Sequence, residues 1–200
     1  MKLTDKLQSF LPFGYLFLVI LGILKESVFY YQFGINILRY SSLMDILISP
    51  IADLTSHPIV LAGLCAILLF LYFIIYFLPT KNHNKQWVKK IMSSRGLSND
   101  LSANEVKTKF ENFFLLTLAI CLFSFFLGLG FGNGIKISRN IQNGNLRYNC
   151  NLTYNSNETK EIHLIGSNSV NIFYVEKANK NIRISPVGSI KAIEVLAIKN

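Results

Sequence analysis

Residue types that commonly carry chemistry are present but scattered along this chain. The three histidines, His57, His83 and His163, lie in separate segments, without the paired spacing that a metal site or an activated nucleophile needs. The sequence holds no Gly-x-Ser-x-Gly, Gly-x-x-x-x-Gly-Lys or Ser-x-x-Lys motif. Asp45 and Asp53 would lie about 12 Å apart on a helix, too far for a carboxylate dyad. We therefore expect no catalytic residue, no metal and no cofactor, and we do not expect an enzyme.

The stretch GLGFGNG, from Gly128 to Gly134, has the glycine content of a dinucleotide-binding loop. Such a loop follows a strand and precedes a helix, whereas here an apolar span comes first and strand-like alternation follows. Two other roles stay open. The spacing of Gly128 with Gly132, and of Gly130 with Gly134, suits close helix packing. The preferred interpretation is a helix exit, in which the glycines end the span and let the chain turn into a second domain.

Long apolar segments occupy much of the first two-thirds of the chain. Hydrophobic residues make up 51% of the sequence and charged residues only 16%, a balance that soluble domains of this size rarely reach. The run 59–78 carries no charge and is long enough to cross about 30 Å of hydrocarbon as a helix. We predict three transmembrane helices, at about residues 10–33, 59–79 and 112–133.

Polar residues at membrane depth are the best candidates for a functional role, because burying a charge in lipid is costly. Lys25 and Glu26 are neighbours in the chain, so on a helix they point about 100° apart and should not pair well with each other. They either mark the interface end of the first span or form a polar cluster that holds subunits together or lines a pore. The full candidate set is Lys25, Glu26, Asn36, Arg39, Asp45 and Asp53.

The connection between the first two spans contains a helix start signal. Ser42 and Asp45 have the Ser-x-x-Asp spacing of a capping box. The helix that they predict, over residues 43–54, is apolar on most sides and is interrupted by Pro50. We expect this helix to lie in the membrane interface, to re-enter the membrane or to line a water-filled crevice.

The loop 80–111 is strongly basic, with seven lysines and arginines. Part of it could form a basic amphipathic helix that lies on an anionic leaflet or binds a protein partner. The expected docking residues are Lys85, Trp87, Lys89, Lys90 and Arg95. Although the net charge of the chain is +9, its basic residues are spread out and fit no nucleic-acid-binding motif, so direct nucleic-acid binding is not expected.

After Gly134 the hydrophobic period changes from helical to alternating. Ile135, Ile137 and Arg139 alternate with polar residues, Asn143-Gly144 matches a hairpin turn, and the stretch 146–154 alternates as a strand. Further short strands follow. We predict a small β-barrel or β-sandwich over residues 135–200, following a transmembrane helical domain over residues 1–134.

The distribution of positive charge predicts the orientation. The loop 80–111 and the N-terminus should be cytoplasmic, which places the β-domain in the periplasm. Lys136, Arg139 and Arg147 follow the third span closely, and their positive charge favours a cytoplasmic β-domain instead. A membrane crossing by residues 43–54 would also reverse the side of the C-terminus.

The stretch KESVFYYQFGINILRYSSLMDILISP resembles part of a group of small, mostly uncharacterised bacterial inner-membrane proteins. The similarity lies in a Lys-Glu pair, an aromatic pair, Gly-Ile-x-Ile, Tyr-Ser-Ser and a short acidic helix, with a β-rich tail like residues 164–195 after the last helix. Some proteins of this build are encoded in defence islands, and the chain resembles the membrane subunit of the Kiwa antiphage system. The resemblance implies an oligomeric membrane sensor that works with a cytoplasmic nucleic-acid-binding partner, and it assigns no functional residue.

The sequence therefore favours a non-enzymatic sensor or anchor subunit in a bacterial inner membrane, and the resemblance implies a role in antiphage defence. Its expected partners are the lipid bilayer, further copies of itself and a cytoplasmic protein. One alternative is an oligomeric pore-forming effector that is gated by its β-domain. Another is an accessory subunit of an envelope or transport machine.

Overall fold

A computed structural model describes residues 3–56, 58–82, 85–86, 88, 90, 103–177 and 179–196. Among these residues, the first helices are α1 (Leu3–Tyr31), α2 (Leu43–Ser56) and α3 (Pro58–Leu71), with a 3-10 turn at Ile37–Arg39. A π-helical stretch at Tyr72–Phe77 continues α3 into α4 (Leu78–Lys81), and α5 covers Ala103–Asn143. The strands are β1 (Cys150–Tyr154), β2 (Thr159–Ser167), β3 (Asn171–Glu176), β4 (Ile182–Pro186) and β5 (Ile190–Val195).

Three of the described helical segments are long and apolar enough to cross a membrane. They are Leu11–Tyr31, Pro58–Phe77 and Lys107–Asn143. Each corresponds to one of the three predicted spans, so the prediction of three long apolar helices followed by a β-domain is confirmed at this level. Each helix forms over a long apolar run that contains single glycines but no interior proline, except for Pro12 in α1.

Helix α5 does not end at the glycine stretch. It continues through Gly128–Gly134 to Asn143, over 41 residues, so the predicted helix exit and the strand expected from Ile135 do not form. The boundary predicted between residues 134 and 135 therefore falls inside a helix. The helix ends instead at Gly144, whose φ of 72° is the left-handed conformation that closes many helices. Asn143-Gly144 is thus a helix end and not a hairpin turn.

The chain divides into two compact units, Met1–Ala52 with Phe126–Asn200, and Asp53–Phe125. The first unit contains α1, most of α2, the C-terminal part of α5 and the β-sheet. The second unit contains α3, the π-helical stretch, α4 and the first part of α5. In the second unit, aromatic side chains meet where the ring of Tyr72 lies edge-on to that of Phe114 at 5.8 Å.

The β-domain is a single antiparallel sheet with the strand order β4-β3-β2-β1-β5. Its two edge strands are consecutive in the chain and are joined by Val187–Ser189. In a flat sheet these edges would lie about 19 Å apart, whereas the four peptide units from Pro186 to Ile190 reach only about 14 Å. The sheet must therefore curl until its edges approach each other. The predicted barrel or sandwich is replaced by one curled sheet whose described edge strands remain unpaired with each other.

The two faces of the sheet pack against different surroundings. One face joins the ends of α1 and α5 in an apolar core, formed by Tyr30, Ile37, Ile141, Ile165, Phe173 and Val175. The other face has its own apolar cluster, formed by Cys150, Leu152, Ile162, Ile172 and Tyr174. Strand β3 contributes to both clusters, and all six of its residues are buried. Strand β3 therefore lies at the centre of the packing on both faces of the sheet.

Candidate functional site

The N-terminus of α2 carries the predicted capping box, and that box also binds the sheet. The backbone N–H and the hydroxyl of Ser42 donate to Asp45 Oδ2 at 3.0 and 2.6 Å. From the turn between β2 and β3, Ser169 donates its backbone N–H to Asp45 Oδ1 at 3.1 Å and its hydroxyl to Oδ2 at 2.7 Å. One carboxylate therefore serves both a helix end and a hairpin turn that lies 124 residues further along the chain.

The electrostatics of Asp45 follow from these four donors. Burial acts to raise the pKa of Asp45, but the hydrogen bonds from Ser42 and Ser169 outweigh it and hold the pKa below its ordinary value. The carboxylate is accordingly ionised at neutral pH, when its hydrogen bonds to the hairpin turn are strongest.

Two asparagines extend the contact between the hairpin turn and the segment before α2. Asn168 donates its side-chain N–H groups to the carbonyl of Tyr40 at 3.0 Å and to Ser41 Oγ at 2.8 Å. Asn171 donates to the same Tyr40 carbonyl at 2.8 Å. Among the described residues, five hydrogen bonds thus join residues 40–45 to residues 168–171. We call this set the hairpin latch.

One turn further along α2, a second polar cluster joins this helix to α1. Lys25 Nζ lies 2.7 Å from Glu26 Oε1 and donates to Ser49 Oγ at 2.7 Å, and the Ser49 hydroxyl donates to Glu26 Oε1. Lys25 is only 8% exposed. The expectation that Lys25 and Glu26 would not pair is wrong, because the flexible side chain of lysine allows its ammonium group to reach the carboxylate of the neighbouring residue. Ser49 was not a predicted site residue, although its spacing of four from Asp45 places both on one helical stripe.

Helix α2 lies against α1 at very short range between these two clusters. A Cβ atom at Gly22 would collide with the backbone carbonyl of Ile46. Only glycine therefore fits at this crossing. Asp45 precedes Ile46 in the chain and Ser49 follows it. The hairpin latch and the Lys25 cluster therefore contact α2 on adjacent turns.

The glycines of α5 fall into two sets. A Cβ atom at Gly130 would lie 2.7 Å from the Lys25 carbonyl oxygen, and one at Gly134 would lie 2.9 Å from the Phe29 carbonyl oxygen. The other pair, Gly128 and Gly132, has nothing within 4 Å among the described atoms. Gly130 and Gly134 therefore lie at the contact of α5 with α1.

The pairing of residues gives the relative direction of these two helices. Gly130 lies beside Lys25, whereas Gly134 lies beside Phe29 and Gln32. The Ser138 hydroxyl then donates to the Gln32 carbonyl at 3.2 Å. Because the residue numbers rise together along both helices, α1 and the C-terminal part of α5 run parallel.

The remaining predicted polar candidates lie elsewhere. Asn36 and Arg39 are exposed on the connection between α1 and α2 and take no part in the Lys25 cluster. Asp53 begins the second compact unit. On the basic loop, Lys85 and Lys90 are exposed. Trp87, Lys89 and Arg95 lie outside the described residues.

Among the residues that the structure describes, no group of three or more histidine, cysteine, aspartate or glutamate side chains is arranged to hold a metal ion. His163 Nδ1 lies 2.8 Å from the Arg147 carbonyl oxygen, a contact that fixes the start of the sheet. His57 and His83 lie outside the described residues.

Comparisons with protein-family models, with curated proteins and with solved structures give no match for this chain. The resemblance to small bacterial inner-membrane proteins therefore stays a prediction. The function has to be inferred from the contacts that join the sheet, α2 and α1.

Proposed function

We propose that this protein is a non-enzymatic integral membrane sensor, in which the curled sheet receives a signal and α2 passes it to the membrane helices. The observation that carries the proposal is the hairpin latch. It ties the turn between β2 and β3 to the first turn of α2, and the next turn of α2 contacts the charged pair Lys25–Glu26 of α1 through Ser49.

Insertion into a bilayer is supported by how little of each apolar helix is covered. Only 17%, 6% and 11% of the most hydrophobic windows of Leu11–Tyr31, Pro58–Phe77 and Lys107–Asn143 is buried within the chain. In water, apolar faces of this extent would associate with one another. Lipid supplies the missing contacts, while the helices satisfy their own backbone hydrogen bonds.

The parallel directions of α1 and α5 favour three crossings. A chain that leaves α1 on one side and crosses again in the same direction has to return once between them, and Pro58–Phe77 is long enough to do so. Helix α2, with 14 residues, is only about 21 Å long, too short to cross about 30 Å of hydrocarbon. We therefore assign α2 to the membrane interface.

The side chains of α2 support this assignment. Ile46 and Pro50 are buried against the protein, whereas Met44, Ile48 and Ile51 are exposed along one stripe. An apolar stripe opposite a packed face is typical of a helix that lies partly in the headgroup region. A shift of such a helix would alter both the local lipid contacts and the Lys25 cluster.

The same proposal gives the basic loop an anchoring role. Lys85 and Lys90 are exposed and would attract anionic lipid or an acidic surface on a cytoplasmic protein. The resemblance stated above adds antiphage defence as the biological setting and further copies of the chain as partners.

The experiment that tests signal transfer is hydrogen–deuterium exchange on the full chain in lipid nanodiscs. The double substitution Asn168→Ala with Ser169→Ala removes three of the five latch hydrogen bonds, all from the sheet side. We expect exchange to increase at residues 43–50, on the far side of the latch, because the first turn of α2 loses its partners.

Thr153→Ala is the matched control, because it removes an exposed side-chain hydrogen bond within the sheet, to Thr159 at 3.0 Å, and lies outside the latch. Its exchange at residues 43–50 should equal that of the wild type. Unchanged exchange there in the latch variant as well would refute the proposed transfer through α2.

A further inference from the structure

The open end of the curled sheet forms a pocket of about 720 Å³ on the face that points away from the helix ends. The pocket is broadly open to solvent, and its volume is within the range of small-molecule sites in proteins. Its position resembles the mouth of a β-barrel, which is a common place for such a site. Its polar walls are provided by Tyr154, Lys160, Arg183 and Ser185, with Asn155 and Glu158 at the rim.

The charged groups around this pocket are already paired with one another. Lys160 Nζ lies 3.2 Å from Glu158 Oε1 and 3.3 Å from Glu176 Oε1. Arg183 lies 3.1 Å from the same Glu176 oxygen. Glu176 is only 9% exposed and lies directly behind the wall. Two cations therefore face two carboxylates, and the pocket has no excess charge.

The hydroxyl groups of the pocket form a continuous chain. Tyr154 Oη lies 2.6 Å from Tyr174 Oη, which in turn lies 2.9 Å from Ser185 Oγ. Burial and the hydrogen bond with Tyr174 raise the pKa of Tyr154, so its hydroxyl keeps its proton at neutral pH. Each of these groups can both donate and accept a hydrogen bond.

We infer that this pocket binds an uncharged ligand rich in hydroxyl groups, of the chemical class of a monosaccharide or disaccharide. A sugar hydroxyl can accept from Lys160 or Arg183 while it donates to Glu158, so it enters without breaking the charge balance. A ligand anion would compete with the two carboxylates, and a ligand cation with Lys160 and Arg183, and each would leave a charge of the chain without its partner.

The position of the pocket relates it to the latch. Tyr174 lies on β3, between Phe173 and Val175, which pack on the helix side of the sheet. The first residue of the same strand, Asn171, donates to the Tyr40 carbonyl of the hairpin latch. The inference rests on the proposed sensor function to the extent that it names the class of signal that the sheet would receive.

The test is isothermal titration calorimetry on the full chain in phosphatidylcholine nanodiscs, prepared without maltoside detergents because their headgroup is itself a sugar. The probes are N-acetylglucosamine, glucose and maltose, with inorganic phosphate as the anion probe. We expect at least one of the sugars to bind with a dissociation constant on the order of 1 mM, and phosphate not to bind at the same concentrations.

Tyr154→Phe should weaken sugar binding about tenfold, since it removes one hydrogen-bonding group of the pocket. Glu176→Gln should weaken binding to a similar extent, since it removes the carboxylate that holds Lys160 and Arg183 in place. Glu161→Gln is the matched control. Glu161 also pairs with a lysine, Lys177, but lies on the opposite face of β2, so its substitution should leave binding unchanged. If Glu176→Gln fails to fold, Tyr154→Phe and Ser185→Ala carry the same test.

Absence of binding by all three sugars would overturn the inference, and so would binding of phosphate in their place. Equal loss of sugar affinity in Glu161→Gln and Tyr154→Phe would also overturn it. Failure of this inference is separable from failure of the sensor function. Sugar binding that leaves hydrogen exchange at residues 43–50 unchanged supports the pocket and counts against signal transfer to α2. Absence of sugar binding counts against the pocket alone, because the exchange experiment on the latch variant does not depend on a sugar.

Discussion

Asp45 shows at the residue scale how one carboxylate can couple two distant parts of the chain. It receives hydrogen bonds from Ser42, which immediately precedes its own helix, and from Ser169 in the turn between β2 and β3. Substitution of either partner leaves the other bond in place, but loss of the carboxylate removes its bonds to both, including two of the five bonds of the hairpin latch.

The lowered pKa of Asp45 makes the latch sensitive to acid. A carboxyl group whose pKa is lower in the folded state adds stability that is fully present above its ordinary pKa and is lost as the pH falls through the folded value. We therefore expect hydrogen exchange at residues 43–46 to rise as the pH falls below about 4. In Asp45→Asn this dependence should be absent, and exchange should already be raised at neutral pH.

The control for this pH series is Glu194→Gln, an exposed carboxyl group on β5 that lies outside the latch. It should keep the acid response of the wild type, after correction for the intrinsic pH dependence of exchange. An acid response that persists unchanged in Asp45→Asn would show that another group controls the opening.

At the scale of elements, α1 and α5 are held together at two glycines. An added methyl group at Gly130 or Gly134 would meet a backbone carbonyl of α1, which cannot move aside as a flexible side chain would. We expect Gly130→Ala and Gly134→Ala each to lower the free energy of unfolding by about 1–3 kcal/mol.

Gly128→Ala and Gly132→Ala are the matched controls on the same helix. Because nothing described lies within 4 Å of either Cβ position, they should be neutral or should stabilise α5 by up to about 1 kcal/mol, the gain in helix propensity. Thermal unfolding in nanodiscs provides the measurement. Equal destabilisation of all four variants would show that the close contact of α1 with α5 does not cause the loss of stability in Gly130→Ala and Gly134→Ala.

These glycines also show where local sequence signals are insufficient. Three long apolar runs were enough to predict three long helices, because the length of such a run outweighs single glycines or charges within it. The row of glycines indicated a helix exit, yet α5 continues to Asn143 since packing against α1 offsets the low helix propensity of glycine.

The candidate site could be predicted only in part. The spacing of Ser42 and Asp45 was enough to predict the helix cap, because that contact is local. The bonds of Asp45 to Ser169 join positions 124 residues apart, and no local pattern in either segment indicates them. The same holds for Ser49 and Lys25, which meet only because α2 crosses α1 at Gly22.

At the scale of the whole molecule, the positive charge of the loop 80–111 predicts a cytoplasmic loop and a periplasmic sheet. We expect a C-terminal alkaline phosphatase fusion to be active in a bacterium with two membranes, and a C-terminal green fluorescent protein fusion to be dark. A fusion after residue 85 should give the reverse pattern. Fluorescence from the C-terminal fusion would place the sheet in the cytoplasm and contradict the proposed orientation.

The charged pair in α1 gives an expectation about permeability. Lys25, Glu26 and Ser49 satisfy one another within a single chain. We therefore expect liposomes that contain the purified protein to retain an encapsulated dye, with or without the sugars named above. Leakage that Lys25→Met abolishes, and that Lys191→Met on the sheet does not, would favour a pore-forming effector over a sensor.

The proposed coupling of the sheet to α2 through the hairpin latch can be measured by a double-mutant cycle between Asp45→Ala and Ser169→Ala. Unfolding of the full chain in nanodiscs would be measured for the wild type, both single variants and the double variant, with Asp45→Ala and Thr153→Ala as the control cycle. We predict a coupling free energy of about 1–3 kcal/mol for Asp45 with Ser169, and additivity within about 0.5 kcal/mol for the control. Additivity in both cycles would contradict the coupling of the sheet to α2 through the hairpin latch.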